Sequence, residues 1–131
     1  IATVLLATVV CFVGKMDVYA ASSVSGSLGG VTVSGSVVTN ATSAVANTVY
    51  TMPGGKRIAV AKVHYYDGKD YYNTSATSSS TQSGGTSATA TKKISYASVV
   101  GGQGTHSVAY DPYTWNQYTS TGLIPADSKS H

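Results

Sequence analysis

His106, Ser107 and Asp111 bring an imidazole, a hydroxyl and a carboxylate into one short stretch, the groups a hydrolase aligns to activate a nucleophile. The surroundings argue against that use. Serine is among the commonest residues of the chain, and neither a Gly-x-Ser-x-Gly elbow nor a Ser-x-x-Lys pair occurs. His64, Asp67 and Asp70 are a second group close in sequence. An oxygen cage for calcium needs alternating Asp or Asn ligands and a closing Glu, and the chain contains no Glu. Beyond residue 20 the carboxylates are Asp67, Asp70, Asp111 and Asp127. A glycosidase sets two carboxylates across a cleft with one kept protonated by apolar surroundings, whereas aspartates at turns are exposed and ionised. Gly101-Gly102-Gln103-Gly104-Thr105 lacks the Gly-Lys-Ser/Thr ending of a phosphate loop and the strand-to-helix frame of a dinucleotide fingerprint, so it reads as a turn. The expectation is a protein with no catalytic residues, metal or cofactor, its histidines half-buried on strands.

The clearest binding chemistry is aromatic. Tyr113, Trp115 and Tyr118 lie close together, and Tyr65, Tyr66, Tyr71 and Tyr72 crowd one turn. Rigid amphipathic rings stack on sugars or fill a protein partner's pockets at little entropic cost. Tyr113, Trp115, Tyr118, Tyr66, Tyr71 and His64 are therefore the expected binding residues. The competing use of the same rings is a core lined by Tyr in a chain with a single Phe.

Strands must position these side chains. Lys56–Tyr66 is β-branched and aromatic without a breaker, Asp67-Gly68 suits a tight turn, and Tyr71–Ala76 returns. A two-residue loop opposes Val63 to Tyr72 and a four-residue loop opposes Tyr65 to Tyr72. Either way Ala59, Ala61, Val63, Tyr65, Tyr72, Thr74 and Ala76 share the expected core face. Ser23–Leu28 and Val31–Val37 flank Gly29-Gly30, a second hairpin. Asn40–Thr51 has some helical spacing, but its Val, Thr and Tyr favour a strand that Pro53-Gly54 turns into Lys56. Asn73–Thr91 is Ser, Thr and Ala around Gln82-Ser83-Gly84-Gly85, which reads as two strands or as a partly disordered linker. Thr105–Tyr110 is the last clear strand, and from about residue 123 the tail has little to hold it.

Composition narrows the class. The 131 residues fit one domain, 42% apolar, 10% charged and with net charge +3; so few charges disfavour exposed helices. Lys56-Arg57 and Lys92-Lys93 read as solvated strand ends, so no nucleic acid is expected. The lone Cys11 excludes a disulfide framework. Ile1–Val13 is an apolar run shorter than the ~20 residues of a membrane span. It matches a secretory signal with Val18 and Ala20 before a cut at Ala20/Ala21, the alternative being a retained segment that anchors or polymerises the domain.

These readings predict an all-β protein, a small antiparallel sandwich or meander of about seven strands, with residues 1–20 as a signal peptide or retained hydrophobic segment and 21–131 as one domain. The expected function is that of a non-enzymatic, secreted or cell-surface module binding glycan or protein through Tyr and Trp. A subunit assembling into filaments by strand exchange is the first alternative, and a secreted antibacterial polypeptide the second. Membrane contact is expected only through residues 1–20 if they are retained.

Overall fold

The computed structural model describes residues 18–131, and among them it has strands and no helix. The apolar run and Cys11 lie outside the described residues. Strands β1 (Val18–Leu28), β2 (Val31–Asn40), β3 (Ser43–Tyr50) and β6 (Gly84–Thr91) form one sheet in the order β1-β2-β3-β6. Strands β4 (Lys56–Tyr66), β5 (Tyr71–Ser80), β7 (Ser98–Tyr110), β8 (Tyr113–Gly122) and β9 (Lys129–Ser130) form a second in the order β8-β7-β4-β5-β9. All pairings are antiparallel except β5 with β9. The two sheets pack face to face, so the expected β-sandwich is the fold, with nine strands among the described residues in place of about seven. β1 spans the expected cut at Ala20/Ala21, and its pairing with β2 continues from Ala21 opposite Val38 to Leu28 opposite Val31.

The β4–β5 hairpin takes the four-residue loop, with Tyr65 opposite Tyr72 and Tyr66 opposite Tyr71. Asp67 closes it by accepting the N–H groups of Lys69 and Asp70 at 2.8 and 2.7 Å, the local bond that suits Asp to turns. On the predicted core face Ala59, Ala61, Val63 and Tyr65 are inaccessible to solvent, Thr74 is buried, and Tyr72 and Ala76 are half-buried. The first four meet Val37, Ala44, Ala46, Ala88 and Ala90 from the other sheet. A second apolar cluster at the other end of the sandwich holds Leu28, Val33, Tyr50 and Val108, with Trp115 packed against it. Asn40–Thr51 supplies strand β3, and the Ser/Thr-rich stretch is ordered, its turn after Ser80 carrying the chain from one sheet to the other.

Four sequence expectations are corrected. Gly101–Gly104 is not a turn but the middle of β7, pairing with β4 and β8 together. The glycines are there because neighbours leave no room: a Cβ on Gly101 would fall 2.1 Å from the Leu123 carbonyl oxygen. β8 was hidden because it is an edge strand whose outward residues are Thr, Asn, Tyr and Ser, without an apolar alternation to announce it. Arg57 is no solvated strand end, being fully buried. The tail from 123 is also held. Leu123 N–H donates to the carbonyl of Val100 (2.9 Å), the residue bulged out of the β4–β7 pairing. Lys129 and Ser130 pair with Tyr72 and Asn73, His131 N–H donates to Asn73 O (2.9 Å), and the His131 ring stands edge-on to Tyr72 at 5.3 Å. The tail thus runs as a strap from the end of β8 to the far edge of β5.

Candidate functional site

Alternation along β4, β5, β7 and β8 decides which side chains leave the sandwich. Cross-strand pairing sets Tyr118, Thr105, Val60 and Thr77 in one line across the outer face of the five-stranded sheet. Ser120, Gln103, Lys62 and Ser75 form the next line, followed by Gly122, Gly101, His64 and Asn73. The strap is bonded to the third line. Ser128 Oγ lies 3.2 Å from His64 Nδ1 and accepts from Asn73 Nδ2 at 2.6 Å. Above the strap an open groove of about 410 Å³ is lined by Val60, Lys62, Ser75, Gln103, Thr105 and Tyr118.

The groove mixes one ring, one cation and several neutral hydrogen-bonding groups. Tyr118 is 74% exposed. Gln103 Oε1 sits 2.7 Å from His64 Nε2; with a neutral His64 donating from that nitrogen, the Gln103 amide group keeps two N–H donors for other use. Among the described residues the Lys62 ammonium has no carboxylate partner, the ion pair being Lys129 with Asp70 at 3.5 Å. Burial holds His64 below the ordinary imidazole value; its Gln103 bond opposes that shift and Lys62 adds to it. His64 is therefore neutral at pH 7 and serves as a link from Gln103 to the strap.

The sequence-predicted binding residues do not form one surface. Tyr118 lies in the groove. Tyr113 and Trp115, odd-numbered on the same strand, project to the opposite side of the sheet: Trp115 packs against the Leu28–Val33 cluster, its Nε1 2.8 Å from where a Cβ on Gly26 would lie. Tyr113 sits beside Gly29 at the sandwich end. Tyr66 and Tyr71 pack together with ring centres 4.6 Å apart and planes tilted by 38° beyond the strap, on the groove's side of the sheet but separated from it. His64 is 3% exposed and buried beneath the strap, not half-buried. Three residues spaced two and three apart cannot share a strand face when the period is two, and Tyr118 falls on the odd side of that rule. Lys62 and Gln103 were not singled out; their strand parity with Tyr118 was the signal, and it needed the register of β4, β7 and β8.

The interior of the sandwich holds the other polar group of interest. His106 is inaccessible, with Nδ1 3.0 Å from Thr48 Oγ1 and Nε2 2.8 Å from Thr119 Oγ1. Thr48 donates its hydroxyl proton to Ile58 O at 2.9 Å, so it must accept from His106 Nδ1–H, and Nε2 then accepts from Thr119. Burial pushes the imidazole down to about 4. Ser107 projects to the other side of β7, donating to Asn116 Oδ1 at 2.7 Å, so it forms no nucleophile–base pair with His106. The ring lies over Gly35, where a Cβ would come within 2.3 Å of it.

Arg57 is the second buried polar centre. Its Nε donates to Tyr50 O (2.8 Å) and Gly84 O (3.1 Å), Nη1 to Gly55 O, and Nη2 to Tyr50 O and Met52 O. Its guanidinium carbon lies 5.6 Å from the Tyr50 ring centre. A planar five-donor fork satisfies carbonyls that a turn between two sheets would otherwise leave bare.

Comparison of the chain with protein-family models, with curated proteins and with solved structures finds no match. Fold and site define a small two-sheet β-sandwich with an open, mixed-polarity groove on one outer face.

Proposed function

We propose that the chain is a non-enzymatic binding module, exported or displayed at a cell surface, that holds a glycan in the groove on the outer face of the five-stranded sheet. The observation that carries this reading is the groove itself: an exposed tyrosine ring on one strand, with an ammonium, an amide and hydroxyls across the other lines of four paired strands. Sugars present alternating apolar ring faces and hydroxyl rims, which call for an aromatic platform and neutral donors and acceptors. A rigid sheet keeps those groups in place without ordering a loop. The apolar run Ile1–Val13 and the scarcity of charge support export. Affinity electrophoresis through gels cast with soluble polysaccharides tests the reading. Tyr118→Ala should remove retardation while thermal unfolding is unchanged, and Trp115→Ala should lower stability while a folded fraction is still retarded. Retardation unaffected by Tyr118→Ala would refute it.

A second reading, assembly into filaments, is favoured by the sheet edges. β1, β6 and β8 each pair with a single strand and contain no charged residue and no proline, the features that usually protect an edge from another chain. Sedimentation that shifts to fibres with rising concentration would support this use, and a monomer at every concentration would count against it.

A further inference from the structure

The groove's charge defines its ligand more narrowly, an inference that rests on the glycan-binding reading. Its lining includes Lys62 and no carboxylate. The aspartates of the described residues are elsewhere: Asp67 and Asp70 at the β4–β5 loop, the latter bonded to Lys129, Asp111 at the β7–β8 turn, and Asp127 in the strap. Lys62 is half-buried, and among the described residues no carboxylate pairs with it. A ligand anion arriving there can take a charge-assisted hydrogen bond from the ammonium without displacing a carboxylate of the described residues.

The neighbour sharpens the geometry. Lys62 and Gln103 are directly opposed across β4 and β7, so their Cβ atoms are about 5 Å apart. From that spacing the ammonium and the Gln103 N–H donors can reach one carboxylate together, one for each oxygen. Tyr118 is two strands away and two residues out of line, a backbone separation of about 12 Å. That exceeds one pyranose ring, so a ring stacked on Tyr118 and an anion on Lys62 belong to different sugars of one chain.

We infer that the groove binds an acidic polysaccharide, with a uronate carboxylate between Lys62 and Gln103 and a neighbouring sugar ring on Tyr118. Nucleic acid is a poorer fit, because phosphate tracking needs a row of cations and the groove offers one.

The test compares the full chain, Lys62→Gln and Tyr118→Ala in gels containing polygalacturonate, its methyl-esterified form, dextran sulfate or oligothymidylate. The expected result is strong retardation by polygalacturonate, loss of it on esterification, weakening by salt, and affinity lowered about tenfold in Lys62→Gln, with both variants melting as the parent does. Equal retardation by the esterified polymer, or by Lys62→Gln, would overturn the acidic ligand while leaving the glycan reading intact if Tyr118→Ala still abolished binding. Stronger retardation by dextran sulfate or oligothymidylate would overturn the carboxylate assignment. No retardation by any polymer would overturn both this inference and the reading beneath it.

Discussion

On the inner face of the five-stranded sheet, Arg57, His106, Thr119 and Thr121 all end on partners within the chain. On the outer face of the same strands, Lys62 meets no carboxylate of the described residues and Tyr118 stands 74% exposed. The residues alternate along single strands, so composition and backbone are shared and only the facing differs. A polar group left unpaired inside costs the full desolvation of that group, and among the described residues Tyr65 Oη is the buried side-chain atom without a hydrogen-bond partner. A polar group outside can be left for a ligand. Changes to the inner face should therefore alter stability without altering recognition, and changes to the outer face the reverse.

Arg57→Leu is the strongest test of the first half. It strips the donors from Tyr50, Met52, Gly55 and Gly84 carbonyls, and a loss of at least about 3 kcal/mol in urea unfolding is expected. A loss below about 1 kcal/mol would show that water replaces the guanidinium.

His106 sets the next largest effect. Its folded value of about 4 lies below the ordinary 6.5, so between those values the unfolded chain takes up a proton that the folded chain refuses. Stability is complete above pH 6.5, falls as pH drops through that window by about 3 kcal/mol, and levels off below 4. His64, also depressed by burial, adds to the same fall. Urea midpoints measured from pH 7 to pH 4 check the slope, and His106→Gln should flatten most of it. An unchanged slope would assign the loss to other groups. Gly35→Ala drives a methyl into the same ring and should cost about 1–3 kcal/mol.

The outer face should respond in the opposite manner. Tyr118→Ala is expected to leave the urea midpoint within about 0.5 kcal/mol of the parent, although it removes the ring on which recognition rests. The strap gives a local effect. Ser128→Ala removes the hydroxyl between Asn73 and His64, for about 1 kcal/mol, seen as faster exchange of the His131 amide with the core unaffected.

The sandwich was legible where sequence patterns are local. The β4–β5 hairpin carries its turn code in Asp67-Gly68, and the parity of Ala59, Ala61, Val63 and Tyr65 is set by strand geometry alone, so the core face followed. The Gly29-Gly30 turn, with both φ values positive at 59° and 81°, was equally local. What escaped depends on distant partners. Arg57 reads as a surface cation until the carbonyls of Tyr50 and Gly84 are brought around it. Gly101 and Gly102 read as a turn until the strap and the facing sheet are seen to need their missing side chains. Tyr113, Trp115 and Tyr118 read as one patch by proximity in sequence, but strand parity divides them. The groove draws on four strands, and no stretch of sequence contains it.

Amide chemical-shift mapping with a galacturonate oligosaccharide tests the central claim most directly. Shifts concentrated at 60–62, 103–105 and 118–120, with those at 34–36 and 47 on the opposite sheet unmoved, are the predicted result. Shifts confined to the other sheet, or spread evenly without saturation, would contradict a binding surface on the outer face of β4, β7 and β8.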